Sequence, residues 1–115
     1  MHELAITQSV VDLVLARTGG RQVVAVRVRV GALSGFVPES MELCFELAVV
    51  GTAAEGARLV VEQTPGRICC RSCGTVQPVP DRILLCLCGS ADVEVVAGDE
   101  LSVVSVELAR EPSCA

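Results

Sequence analysis

A chain of 115 residues can close one hydrophobic core and carry a small appended module, but not two full-size domains. Apolar residues make up 51% and charged residues 20%, the balance of a folding globular chain, and Asp12, Arg27, Glu46 and Glu62 interrupt every candidate for a membrane helix. Nine arginines, with no lysine, stand against fourteen acidic residues for a net charge of −5, and Phe36 and Phe45 are the only aromatics, which excludes both a basic phosphate grip and a base-stacking platform.

Leu4 to about Arg17 reads as a helix, with Ile6, Val10, Leu13 and Val14 at three- and four-residue steps and Gly19-Gly20 as its stop. Arg21 to Val30 alternates, Val24, Val26, Val28 and Val30 against Ala25, Arg27 and Arg29, which predicts a half-buried strand. Leu33 to Val37 is expected to loop. Pro38-Glu39 opens a second helix to about Val49, because proline suits a first helical position and Glu39 and Glu42 complement the helix dipole. Met41, Phe45 and Ala48, beside Cys44, form its apolar stripe, and Gly51 ends it. Arg58 to Thr64 reads as a strand and Pro65-Gly66 as a turn. A cysteine-rich stretch follows from Arg67 to about Asp92, then a Gly98-Asp99 turn and a last strand, Leu101 to Ala109. The expected architecture is α+β, two helices on a small three-stranded sheet with a zinc-ribbon-like module inserted before the last strand. The expected division is an α+β domain over 1–65, completed by a strand over 98–110, and a module over 66–92.

Seven cysteines, an odd number, occur in a chain whose Met1-His2-Glu3 start does not read as a secretory leader, so a cytoplasmic location with reduced thiols is expected. Five cluster at Cys69, Cys70, Cys73, Cys86 and Cys88, whereas Cys44 and Cys114 stand apart. In Cys70-x-x-Cys73-Gly74 two intervening residues let a tight turn aim both sulfurs at one ion, and glycine supplies the positive φ such a turn needs. Cys86-x-Cys88-Gly89 is one residue shorter, and Cys69 is available as a substitute ligand. A structural zinc site is the leading reading; buried inert thiols and a redox dithiol are the alternatives. So short a stretch, with few large apolar residues beyond Ile83, Leu84, Leu85 and Leu87, favours the metal.

His2 is the only histidine. A histidine so near a terminus is ordinarily a solvated side chain without a role. Its chemical alternative is specific: the α-amine of Met1, the deprotonated amides of His2 and Glu3 and the imidazole make a nitrogen-rich planar set suited to nickel(II) or copper(II).

Met1-His2-Glu3-Leu4, Arg29-Val30-Gly31, Leu33-Ser34-Gly35, Pro38-Glu39 opening a helix to Phe45-Glu46, Glu55-Gly56-Ala57, Cys88-Gly89-Ser90 and Gly98-Asp99-Glu100-Leu101 together resemble the hydrogenase nickel-insertion metallochaperones, the HypA/HybF family. The ordered set covers nearly the whole chain. The resemblance implies nickel at His2 with the backbone of Met1 and Glu3, and a structural zinc on Cys70, Cys73, Cys86 and Cys88. It also implies a partner GTPase that handles nickel, delivery to the hydrogenase large subunit and, in some organisms, service to urease maturation. The family has Cys-x-x-Cys where this chain has Cys86-Leu87-Cys88. A zinc-ribbon interaction module without transferable metal is the alternative function. A single histidine at one end offers no oriented catalytic pair, so no enzymatic activity is expected.

Overall fold

The computed structural model describes residues 3–79 and 83–110. Helix α1 spans Glu3–Thr18 and ends where Gly19, at φ +60°, takes a left-handed conformation that other residues avoid. Its buried stripe is Thr7, Val10, Val11 and Val14, the 3.6-residue pattern of one face. The sequence pointed instead to Ile6, Val10, Leu13 and Val14, and Leu13 is 46% exposed. Leu4, Ile6 and Leu13 make the helix apolar on several sides, so periodicity alone could not choose the face.

Strand β1 (Val23–Gly31) follows, with Val26, Val28 and Val30 fully buried. The alternation slips by one residue at its start, where Val23 and Ala25 are buried and Val24 is exposed. Helix α2 (Pro38–Ala48) begins with proline at its first turn, has no side-chain cap at Val37, and buries Met41 and Phe45. Val49 closes it, donating its N–H to the Phe45 carbonyl. The two helices pack on each other. No helix among the described residues is long and apolar enough to cross a membrane.

Strand β2 (Arg58–Thr64) lies beside β1, and β6 (Leu101–Leu108) flanks β1 on the other side, giving a three-stranded sheet in the order β2-β1-β6. Gly31 donates to the Glu100 carbonyl and Ala109 to that of Gln22, so β6 runs antiparallel to β1. Ala32 donates to the Thr64 carbonyl at 2.8 Å, which brings together the C-terminal ends of β1 and β2, as parallel strands joined through a crossover helix require.

The cysteine-rich stretch builds a sheet of its own. Strands β3 (Gly66–Cys70), β4 (Val76–Val79) and β5 (Val93–Ala97) pair in the order β4-β3-β5, both pairs antiparallel. Gly66, expected in a turn, is the first residue of β3 and pairs with Val79. Glycine there answers a steric need: a side chain at Gly66 would run into Leu33, and one at Gly98 into the Gly66 backbone. Glycine lets these segments cross in contact.

The chain divides into two compact units, one of Met1–Val28, Phe36–Val61 and Val103–Ala115, the other of Arg29–Gly35 and Glu62–Ser102. Three of the four boundaries fall inside strands of the first sheet, and the fourth, between Gly35 and Phe36, in the loop ahead of α2. The first unit holds the helices and a core of valines with Met41, Phe45 and Leu59. The second holds the β3–β5 sheet and a smaller buried set, Val30, Ile68, Val79, Cys70 and Cys86. An α+β chain with two helices, a three-stranded sheet and a cysteine module ahead of the last strand is what the sequence led us to expect; the second sheet is additional.

Candidate metal centre

Strand β3 alternates its faces, burying Gly66, Ile68 and Cys70. Cys70 therefore points to the side opposite Cys69, and the chain turns immediately beyond it. Gly74 donates its N–H to the Cys70 carbonyl at 2.8 Å and takes φ +76°, closing a turn that carries Cys73. The second turn closes in the same way with one residue fewer: Gly89, at φ +93°, donates to the Cys86 carbonyl at 2.9 Å, and Cys86 donates to that of Ser90. The short spacing of Cys86-Leu87-Cys88 thus tightens the turn without changing the group that closes it.

The two turns bring four sulfurs together. Cys70 Sγ lies 3.7 Å from Cys88 Sγ, and Cys73 Sγ 3.6 Å from Cys86 Sγ. All four ligand atoms lie within 4.8 Å of one another, with Cys70 and Cys86 buried and Cys73 and Cys88 exposed. Four sulfurs about 2.3 Å from a zinc ion at a tetrahedral centre are about 3.8 Å apart. The donor set and its spacing fit zinc.

Polar groups join the turns beside the sulfurs. Ser72 and Ser90 approach through their hydroxyls at 3.0 Å, and Asp92 donates its N–H to Ser90 Oγ. Arg71 pairs with the Asp92 carboxylate at 3.0 Å, and its N–H reaches the Asp92 carbonyl. These contacts tie the two ligand-bearing turns together. The thiols themselves are electrostatically unequal. Thr75, whose hydroxyl lies 3.3 Å from Cys73 Sγ, brings the Cys73 pKa down to about 6, helped by the Thr75 backbone and the Cys86 and Cys70 thiols. Backbone N–H groups of Cys73 and Ser72 also lower Cys70, against the opposing cost of its burial. Cys86 is pushed up to about 12: the Cys88 N–H favours its thiolate, but desolvation and the Cys88, Cys73 and Cys70 thiols outweigh that. Cys73 and Cys70 thus favour the thiolate, whereas Cys86 resists it until a cation offsets the charge.

Cys69, the candidate substitute, is not brought to the cluster; it pairs with Val76 and Glu94 in the sheet, on the other side of β3. Cys44 is half-buried on α2. Glu3 opens α1, whereas Met1 and His2, the candidate nickel ligands, and Cys114 lie outside the described residues. Sequence reasoning passed over Gln77. It is buried on β4, with its carboxamide against the segment carrying Cys86. The available signal was its phase, since a strand burying Val79 also turns Gln77 inward.

Residues 1–108 match the model of a protein family described as "Hydrogenase/urease nickel incorporation, metallochaperone, hypA". The chain belongs to the HypA family. It is 48% identical over 109 residues to the hydrogenase maturation factor HypA of Geobacter sulfurreducens, covering 94% of this chain and 99% of that one. Identity with the HypA of Streptomyces avermitilis is 44% over 112 residues, covering 92% of this chain and 86% of the relative. In fold, the chain resembles the solution structure of the nickel metallochaperone HypA from Helicobacter pylori, with a TM-score of 0.68 at 21% identity over 96% of this chain and all of that one. The HypA family is one of metallochaperones, so the protein is a maturation factor and not an enzyme. Its work belongs to hydrogenase maturation.

Proposed function

We propose that the protein carries Ni(II) for the assembly of nickel-iron hydrogenase, binding it at Met1-His2-Glu3, and that Cys70, Cys73, Cys86 and Cys88 hold a structural zinc. The observation that carries this reading is the four-sulfur cluster in a chain of a nickel-incorporation family. Four soft donors are gathered into one set suited to zinc, and the sole histidine of the sequence is at position 2. Bound zinc supplies a cross-link between two turns that small buried groups alone hold weakly.

Nickel is cargo. The α-amine, two backbone amides and the His2 imidazole would bind it in a plane. A site made by a chain end releases its ion by stepwise ligand exchange, with no need to unfold the domain. Loading requires a deprotonated α-amine, of ordinary pKa about 7.7–8.0, so affinity rises as pH rises through that range. The recipient is the hydrogenase large subunit, and a nickel-handling GTPase is the partner in transfer; urease maturation proteins are further candidates for a family whose description includes urease. The compartment proposed for this work is the cytoplasm, whose reducing conditions keep such cysteines free to bind a metal.

Native mass spectrometry of the untagged chain, before and after one equivalent of Ni(II), tests the proposal. One zinc as purified, and one nickel gained by the wild type but not by His2→Ala, is expected. Zinc without His2-dependent nickel would replace the carrier with a zinc-stabilised docking module.

A further inference from the structure

Gln77 is a long polar side chain in a small apolar interior, only 9% exposed, on the central part of β4 opposite Ile68. Burying a carboxamide is costly unless its groups find partners. These partners flank a single residue. Gln77 Nε2 donates to the Leu85 carbonyl and Oε1 accepts from the Leu87 N–H, both at 3.4 Å. Cys86 lies between them, its Sγ 3.7 Å from the same Oε1.

In a parallel β ladder, one residue's N–H and C=O reach the groups before and after its partner in this way. The Gln77 side chain thus stands in for a strand's peptide group. It extends β4 to a segment, Leu85 to Cys86, that has no strand pairing of its own. The segment leads into the shortened turn, where Cys86 and Cys88 have one intervening residue in which to aim two sulfurs. Turning freedom is least there, so the backbone before the first ligand must be set from outside the turn.

We propose that Gln77 is a positioning residue of the zinc site: its carboxamide brackets Cys86 and fixes the direction from which its sulfur enters the four-thiolate set. The inference rests on the zinc reading above. Removing an outer partner of a metal ligand typically costs about 10–100-fold in metal affinity.

The test uses the full chain loaded with zinc. Gln77→Leu keeps most of the side-chain volume and removes both bonds; Gln77→Asn keeps the carboxamide but ends one methylene short. Both variants are expected to bind one zinc yet pass it to an excess of 4-(2-pyridylazo)resorcinol at least about 10-fold faster than the wild type. Hydrogen exchange should quicken at the Leu87 amide and stay unchanged at Ile68 and Val95, and cobalt(II) in place of zinc should show a shifted ligand-field spectrum. Release within twofold of the wild type in the variants overturns the proposal. So does exchange that quickens equally at Ile68, Val95 and Leu87, the mark of a general packing role. Should Gln77→Leu fail to fold, Gln77→Asn decides by the same readings. A wild type that carries no zinc would overturn the zinc reading and this role with it, whereas a zinc-loaded wild type with unaltered variants overturns the role alone.

Discussion

The unequal thiols of the cluster make a quantitative prediction for the zinc-free chain. With its pKa near 6, against 9.0 for an ordinary thiol, Cys73 is about nine-tenths thiolate at pH 7, where the ordinary thiol is about one-hundredth. The more acidic thiolate is also the poorer nucleophile, by about 15–30-fold for a Brønsted slope of about 0.4–0.5. The two effects leave Cys73 only about 3–6-fold more reactive at pH 7 than a reference peptide thiol, but about 15–30-fold at pH 6, because the reference loses thiolate faster. Alkylation with limiting iodoacetamide under reducing conditions, read by peptide mass mapping, gives both ratios. Thr75→Val, which removes the hydroxyl beside Cys73 Sγ, should shrink the advantage, and one equivalent of zinc should abolish labelling. An advantage that does not grow between pH 7 and pH 6 would refute the reasoning. It would mean that the hydrogen bonds to Cys73 do not persist in the zinc-free chain.

Two further outcomes concern the unit that carries the cysteines. Gly98→Ala places a Cβ against the backbone of Gly66 and Pro65 at φ +96°, and should cost about 2–5 kcal/mol, combining backbone strain with overpacking. Gly74→Ala, at φ +76° in open space, should cost only about 1–2 kcal/mol; urea denaturation of the zinc-loaded proteins checks the order, and equal losses would contradict the steric account. The Glu100 carboxylate is held below its usual 4.5 by its own N–H and those of Gly98 and Asp99. A depressed carboxyl pKa stabilises the fold above the unfolded value, and that contribution disappears as pH falls through the folded one. The difference in melting temperature between wild type and Glu100→Gln should therefore be constant above about pH 6 and shrink below about pH 4.5, as differential scanning fluorimetry would show.

Much of this was legible because a few residues carry unambiguous physics. Pro38 and Glu39 mark a helix start, the Val26, Val28, Val30 series marks a buried strand, and Cys70-x-x-Cys73-Gly74 allows few other uses. The second sheet was not legible, since β4 is only four residues long and contains Pro78, and β3 carries a cysteine on each face. Nor could spacing alone decide whether Cys69 substitutes for a ligand lost to the shortened Cys86-x-Cys88 turn. Neighbouring strand residues point oppositely, so the answer depended on which of them shares a face with Ile68. The α1 face failed for the converse reason: Thr7 is buried while Leu13 is half-exposed, and a helix apolar on several sides leaves the decision to its neighbours. Gln77 was missed because its meaning lies in what it touches across the fold, at a segment eight to ten residues further along the chain.

Both ligand turns are closed by a glycine amide on the carbonyl of the first cysteine, one across four residues and the other across three. The closing bond itself forms with a codon more or less, once the approach to the first cysteine is set from outside the turn. A deletion that would throw a helix out of phase or a strand onto its wrong face leaves such a turn with the same lock and both sulfurs in the four-sulfur set. A pattern keyed to fixed cysteine intervals therefore passes by the second turn of this chain, which keeps its place in the donor set with one residue fewer. The glycine that follows the second cysteine is the better marker.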